Sequence, residues 1–244
     1  MTSASALARY AELTRQHEET ARLADPAPRP PADQLIDPAT GTAAIGRHPD
    51  GSPVLLPLWN ANGAVHLHIS ARTGAGSSTL IDHLVAAEHA SPLTEPWVAD
   101  PYGARPHLAA RTATTKADTV ALLREAVGLL RSRLREGDSG EGAYSPTPQR
   151  PLTTITLGDW PHLSTCEETV LLAEEIALTG PLAGIGLRIE TWRVRFQPPL
   201  PLTTTALRDA HQITLTARLT PGLGTHAPHP AAPARLFRTW TPEQ

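Results

Sequence analysis

The stretch HLHISARTGAGSSTLIDHL, residues 66–84, constrains the fold more than any other. A short apolar run leads into a loop of small residues, and the loop leads directly into a helical pattern. A strand that hands over to a helix in this way is the first half of a βαβ unit. The rest of the chain repeats the alternation. PWVAD (ending at Asp100), LTTITLGD (ending at Asp159), GLRIETWRV and HQITLTARL read as strands, LTTITLGD being rich in β-branched residues. Ser77 to His89, KADTVALLREAVGLLRSRLREG and CEETVLLAEEIALTG read as helices. In the second, Val120, Leu123, Val127, Leu130 and Leu134 recur at spacings of three and four. Gly180 closes the third. Strands alternating with helices predict an α/β domain: a mostly parallel sheet with helices on both faces, binding ligands at the carboxyl ends of its strands.

The flanks read differently. Residues 5–24 form a helical pattern in which Leu7, Tyr10, Leu13 and Ala21 roughly share a face. Packing on the body of the domain is expected, ahead of docking on a neighbouring subunit. A proline-rich connector follows. Two short strand candidates then flank HPDGSP, where Asp50-Gly51 signals a hairpin turn. The stretch GDSGEGAYSPTPQRP reads as a loop. The Pro/His/Ala-rich tail from Thr220 is expected to be loosely ordered, although RLFRTW can pack. These boundaries divide the chain into 1–40 (helix and connector), 41–220 (the α/β domain) and 221–244 (tail).

Composition narrows the function classes. The chain has 244 residues, a net charge of −3 and a pI near 6.4, so bulk charge does not call for nucleic acid. A local basic patch stays open. The arginines of RSRLREG, with Arg188, Arg193 and Arg195, are candidates for phosphate contact, but a solvated face is the preferred reading. Cys166 is the single cysteine, which excludes an intrachain disulfide. No apolar run approaches the roughly 18–20 residues of a membrane span, and the N-terminus has no apolar signal core. No integral membrane segment and a cytoplasmic location are expected.

The loop itself can be compared with the phosphate-binding pattern G-x-x-x-x-G-K-[ST]. In that pattern backbone N–H groups and a helix N-terminus cradle phosphates, the lysine supplies positive charge, and the Ser/Thr hydroxyl binds Mg²⁺. Here Gly76 and Ser78 match, Ala71 stands at the first glycine and Ser77 at the lysine. Arg72, Thr73, Gly74, Ala75, Gly76, Ser77, Ser78 and Thr79 are the candidate nucleotide-binding residues. Ser78 and Asp159 are the candidate Mg²⁺ ligands should nucleotide bind. The competing reading is a plain strand-to-helix turn whose glycines allow close packing. Asp100, before Pro101, reads as a turn-former. His66 and His68 have no evident third ligand, so packing is preferred to a metal pair.

The order of these stretches resembles the motor domain of FtsK/SpoIIIE-type P-loop translocases, which pump DNA and have relatives in conjugation and type VII secretion. AAIGRHPDGSPVLLPL resembles the family's leading hairpin, VHLHISARTGAGSST its histidine-bearing strand and Walker A loop, and WVADPYGA the strand ending in Asp-Pro-Lys-Gly. ITLGDW resembles Walker B, and LTGPLAGIGLRIETWR the segment that ends at a sensor glutamine. The resemblance spans Ala43 to Leu219 and implies a RecA-like P-loop NTPase sheet. It also implies ATP and Mg²⁺ as cofactors, none being counted on here, and Asp159 as the remnant Walker B aspartate.

Departures from the family pattern fall on its chemistry. Ser77 replaces the lysine, Trp160 the water-activating glutamate, Pro181 the arginine finger, Trp192 the sensor glutamine, Gly186 a histidine and Tyr102 the lysine of Asp-Pro-Lys-Gly. Loss of an arginine finger alone costs on the order of 10³–10⁵ in rate. Trp160 and Trp192 are expected to fill the vacated pocket. Three functions follow: a pseudo-ATPase acting as scaffold or regulator, an ATP-driven double-stranded DNA translocase with an unusual active site, or a module for a non-nucleotide ligand. The resemblance implies a homo-oligomer or a hetero-assembly with an active FtsK-like ATPase, with DNA as a further partner. The family's membrane anchor and winged-helix domain have no counterpart in the sequence.

Overall fold

A computed structural model describes residues 3–25, 27–102, 108–137, 144–192, 210–215, 220–229 and 231–241. The strands in chain order are β1 (Ile36–Asp37), β2 (Thr42–Arg47), β3 (Pro53–Pro57), β4 (Trp59–Asn60), β5 (Gly63–Ala64), β6 (Leu67–Ala71), β7 (Thr94–Ala99), β8 (Arg111–Ala113), β9 (Leu152–Leu157), β10 (Ile185–Trp192), β11 (His211–Leu215), β12 (Leu223–Ala227) and β13 (Arg235–Thr239). The helices are α1 (Ser3–Arg22), α2 (Ser77–Ala90), α3 (Lys116–Gly137), α4 (Trp160–Leu163) and α5 (Glu167–Thr179).

One large sheet runs in the order β1-β2-β13-β12-β11-β6-β10-β9-β7-β8, with β3 paired to β2. From β11 to β8 every pairing is parallel. From β11 to β1 and β3 every pairing is antiparallel. The two halves meet at β11 beside β6. All six residues of β9 are buried, as a strand covered on both faces requires. On one face Leu80, Ile81 and Leu84 of α2 pack with Ile69, Ile213, Leu215 and Phe237. On the other, Leu123, Val127 and Leu130 of α3 and Ile176 of α5 pack with Ile155, Leu157 and Ile189. The parallel, RecA-like central part of the sheet with helices on both faces and the leading hairpin β2–β3 are therefore as the sequence predicts, and the antiparallel half extends the sheet beyond that expectation. At the hairpin turn Gly51 takes φ 83°, and the Asp50 carboxylate accepts from Ser52 N and Oγ.

Three expectations are corrected, and one strand is new. The tail from Thr220 is not loose: β12 and β13 form a hairpin that joins β11 to the leading hairpin, and Phe237 is fully buried. Its Pro/His/Ala composition hides two short strands whose pairing is set by partners distant in sequence. The described side chains of the expected packing face of α1, Leu13 and Ala21, are not buried against the body, and those of Leu7 and Tyr10 lie outside the described residues. The helix's described side chains are almost all exposed, Leu13 by 56%, and it is held at its end by buried Leu23 and by Arg238, which donates to the carbonyls of Leu23 and Ala24. Strand β8 was not readable, because three residues carry too little pattern. The arginines of RSRLREG are not all solvated. Arg133 is buried and donates to the carbonyls of Ala183, Gly184 and Pro151, with its guanidinium over the Tyr144 ring.

Arg188 is likewise buried, and it forms the central ion pair of the domain. Its Nη2 lies 2.5 Å from Glu88 Oε1, and its Nη1 reaches Thr156 Oγ1 at 3.1 Å. Glu88 also accepts from Thr154 Oγ1 at 2.9 Å. Removing one partner strands a buried charge, which costs about 3–5 kcal/mol, whereas replacing both by apolar groups of similar volume is far milder. Glu88→Ala should thus lose about 3–5 kcal/mol in urea denaturation, and Glu88→Leu/Arg188→Met should recover most of it.

The β11–β12 hairpin carries a histidine pair. His211 Nδ1 and His226 Nε2 are 3.0 Å apart and the rings stack at 5.3 Å. Burial pushes both down to about 4, with further lowering from His229 on His211, and from His211, His48 and Arg235 on His226. The unfolded chain takes up protons near 6.5, and the folded chain refuses them until about 4. Both states are neutral above the upper value, so stability is highest there and falls as pH drops through this window. Denaturation midpoints from pH 8 to pH 4 should show that decline, and His226→Gln should make it shallower, the remainder coming from His211 and from His83, which burial also lowers to about 4.

Candidate functional site

The loop after β6 begins from a buried strand end. Ile69 and Ala71 are fully enclosed, and β6 is flanked on both sides by parallel partners. Arg72 N donates to Leu215 O at 3.2 Å, and Ala75 N turns back to Arg72 O at 2.9 Å. Gly74 and Gly76 adopt φ of 79° and 96°, a region that other residues enter at a cost. Gly76 immediately precedes α2, so Ser77, Ser78 and Thr79 form its first turn, where amide groups lack intrahelical acceptors. The sequence-predicted loop residues are thus brought to one strand-to-helix junction.

The corrected tail clamps this loop. Ala75 is fully buried, and its carbonyl accepts from Gly222 N at 2.8 Å. Gly222 O in turn accepts from Thr239 N at 2.9 Å. A Cβ on Gly76 would lie 2.7 Å from Gly222 N, and a Cβ on Gly222 would lie 2.2 Å from Thr239 Oγ1. Gly222 and Thr239 were missed from sequence, since nothing local marks a turn 146 positions after Gly76 as its partner (222 − 76).

A cleft of about 160 Å³ opens above the loop at the carboxyl ends of the strands. Arg72, Thr73, Gly74, Ser77 and Ser78 of the loop line it, together with Asp100, Tyr102, Asp159 and Glu190. Ala75, Gly76 and Thr79 do not line it. Asp100, Asp159 and Glu190 are all buried. Among the described residues that line the cleft, three are acidic and one, Arg72, is an arginine. Glu190 was missed from sequence, although the strand period of two puts it on one face of β10 with Arg188 and Trp192, which is the signal that could have found it. The cleft is smaller than the roughly 300–1,000 Å³ typical of small-molecule pockets. A larger cleft, about 620 Å³, lies between α1 and the β2–β3 turn, lined by residues such as Arg15, Glu19, His48, Asp50 and Arg235, away from the loop.

Asp159 sits at φ 47°, the sole non-glycine with positive φ among the described residues. Its carbonyl accepts from His162 N as α4 begins. Its Oδ2 accepts from the Tyr102 hydroxyl at 2.7 Å, and the Tyr102 amide donates to Asp100 Oδ1 at 3.0 Å. The hydrogen bond to Asp159 raises the Tyr102 phenol above its ordinary range. Asp100 thus does form the turn expected of it.

Trp160 does not fill the cleft. It is fully buried and packs into the core on the side of α3 and α5. Its place next to Asp159, on a left-handed turn, sends it beneath the sheet end instead of into the opening. The Trp192 side chain, Arg193 and Arg195 lie outside the described residues. Pro181 lies in the 3-10 turn Gly180–Ala183, and Gly186 pairs with Thr154 in the sheet. His66 is a buried packing residue: Nε2 lies 2.9 Å from Ala177 O, Nδ1 accepts from Leu187 N, and burial lowers its pKa. His68 bridges Gln212 and Thr191. Among the described residues no three His, Cys, Asp or Glu groups converge to hold a metal, and no helix is long and apolar enough to cross a membrane.

No protein-family model and no curated protein matches the chain. Solved structures do. The cytoplasmic domain of the Thermomonospora curvata type VII secretion ATPase EccC is 16% identical, with a TM-score of 0.66 over 88% of this chain and 28% of that one. ATPases 2 and 3 of the same EccC, in complex with a signal sequence peptide, give 16% and 0.64 over 88% and 42%. The pCW3 conjugation coupling protein TcpA, in a monomer form with ATPgS, gives 14% and 0.63 over 88% and 69%. The chain spans well under half of the two EccC chains. These likenesses establish the fold as that of an FtsK/SpoIIIE-type P-loop ATPase domain.

The clamp is open to test. Gly222 adopts φ 84°. Gly222→Ala combines left-handed strain with a clash against Thr239, and should cost about 1–3 kcal/mol. Denaturation should show that loss, and Thr239→Ala in the same chain should restore part of it by removing the hydroxyl.

Proposed function

We propose that this chain is a non-hydrolysing FtsK-like domain, a pseudo-ATPase that serves as scaffold or regulator in an assembly with an active ATPase of the same type. The observation that carries this reading is the pairing of two changes in one cleft. Ser77 stands where the family's lysine would meet phosphate, and the Asp159 carboxylate, which lines the same cleft, accepts a tyrosine hydroxyl. A triphosphate entering here would meet Asp100, Asp159 and Glu190, with Arg72 as the cation among the described residues that line the cleft. The loop keeps helix N-terminal amides, which favour anions. Their partial charge is about half an elementary unit, less than the full charge that the family's lysine would bring to the phosphates. The residues present do not fit a Mg²⁺–nucleotide, and no catalytic step is assigned through one. The family's water-activating position is Trp160, fully buried and without acid–base capacity.

The similar structures belong to secretion and conjugation ATPases, and this supports a place in such a multi-subunit machine. Within it a domain of this kind contributes shape and contacts, while turnover comes from a partner. ATP turnover with Mg²⁺ should be measured on chain of known assembly state, with and without double-stranded DNA. No turnover above background is expected. A Mg²⁺-dependent rate abolished by Ser78→Ala or Asp159→Asn would overturn the proposal in favour of a DNA-stimulated translocase.

A further inference from the structure

We infer that Tyr102 is a latch that takes the place of a divalent cation on Asp159 and so closes the cleft to Mg²⁺. The inference deepens the non-hydrolysing reading and rests on it for the identity of the site. Asp159 is 6% exposed, and its Oδ2 is bound by the Tyr102 hydroxyl at 2.7 Å. Mg²⁺ binds carboxylate oxygen at about 2.0–2.1 Å and keeps a shell of waters around it. A phenolic oxygen 2.7 Å from that carboxylate oxygen stands inside the space the shell needs. Its proton also occupies a lone pair of that carboxylate oxygen.

The latch is held at both ends. The Tyr102 amide donates to Asp100 Oδ1 at 3.0 Å while the hydroxyl reaches Asp159. The ring centroid lies 6.4 Å from that of His162, which belongs to the short helix opened by Asp159. Two acids at neighbouring strand ends, β7 and β9, are thereby tied to one tyrosine. Glu190, on β10, completes the acidic lining of the cleft. The ring is 64% exposed, so the hydroxyl can be removed without opening the core.

Mn²⁺ alone is the probe, its binding counted by electron paramagnetic resonance on the full chain. Wild type should show no site that depends on Asp159. Tyr102→Phe should gain one, at least about tenfold tighter than any wild-type binding, because a hydrogen bond to a charged group no longer competes. Tyr102→Phe/Asp159→Asn should lose it again. An unchanged thermal midpoint in Tyr102→Phe shows that the gain does not come from unfolding. Mn²⁺ binding by wild type that Asp159→Asn removes would overturn the latch, and so would a Tyr102→Phe chain that binds no more tightly than wild type. The two ideas fail separately: a missing gain in Tyr102→Phe sinks the latch alone, whereas ATP turnover by wild type sinks the non-hydrolysing reading.

Discussion

The buried pair between Arg188 and Glu88 is the interaction on which the rest of the domain depends. Glu88 lies in the last turns of α2, the helix that begins at the loop, and Arg188 lies on β10, next to the strand that ends at the loop. Thr154 and Thr156 of β9 complete the network. A helix and two central strands are thus fixed to one another inside the sheet–helix interface. A charge pair of this kind tolerates one geometry, because any shift leaves an ion buried without its partner.

That fixed frame explains why the junction at Gly76 is so well supported. The parallel half of the sheet positions the loop from one side, and the antiparallel half reaches it from the other through Gly222. The tail hairpin is therefore part of the site's scaffold. It closes the gap between β11 and the leading hairpin, and the turn that leads into β12 supplies the contact to Ala75. The parallel half holds the acidic lining of the cleft, and the clamp is built from the antiparallel half.

The sequence made the parallel half legible because each of its longer strands is followed or preceded by a helix with its own periodicity. LTTITL, with six buried residues, and the leucine and valine spacing of α3 are strong local signals. The antiparallel half was only partly legible. Asp50-Gly51 marks its first hairpin, but LGTHA and RLFRT derive their strand character from neighbours far away in the chain. At the site, the loop residues were visible through a known spacing, as was Asp159. The Tyr102 bond to Asp159 was not visible, because it links two strand ends 57 positions apart and depends on a side-chain direction. Arg133 and Arg188 misled for a related reason: an arginine read in isolation is solvated by default, and only tertiary carbonyls or a buried glutamate reverse that.

The frame and the chemistry of a phosphate-binding loop can also be separated physically. Gly76 must approach Gly222 more closely than any side chain allows, Ala75 is packed in the core, and Gly74 needs its positive φ. Each of these demands comes from the fold, whether or not a phosphate ever enters. The lysine of the pattern has no such duty, since its long side chain serves the ligand alone. A chain that needed the fold but not the ligand would keep the glycines and could lose the lysine. Gly74 and Gly76 beside Ser77 are that combination. The surviving glycines thus report on packing, and the case for or against nucleotide rests on the charged and hydroxyl groups around the cleft: Ser77, Arg72, Tyr102 and the three acids that line it with them.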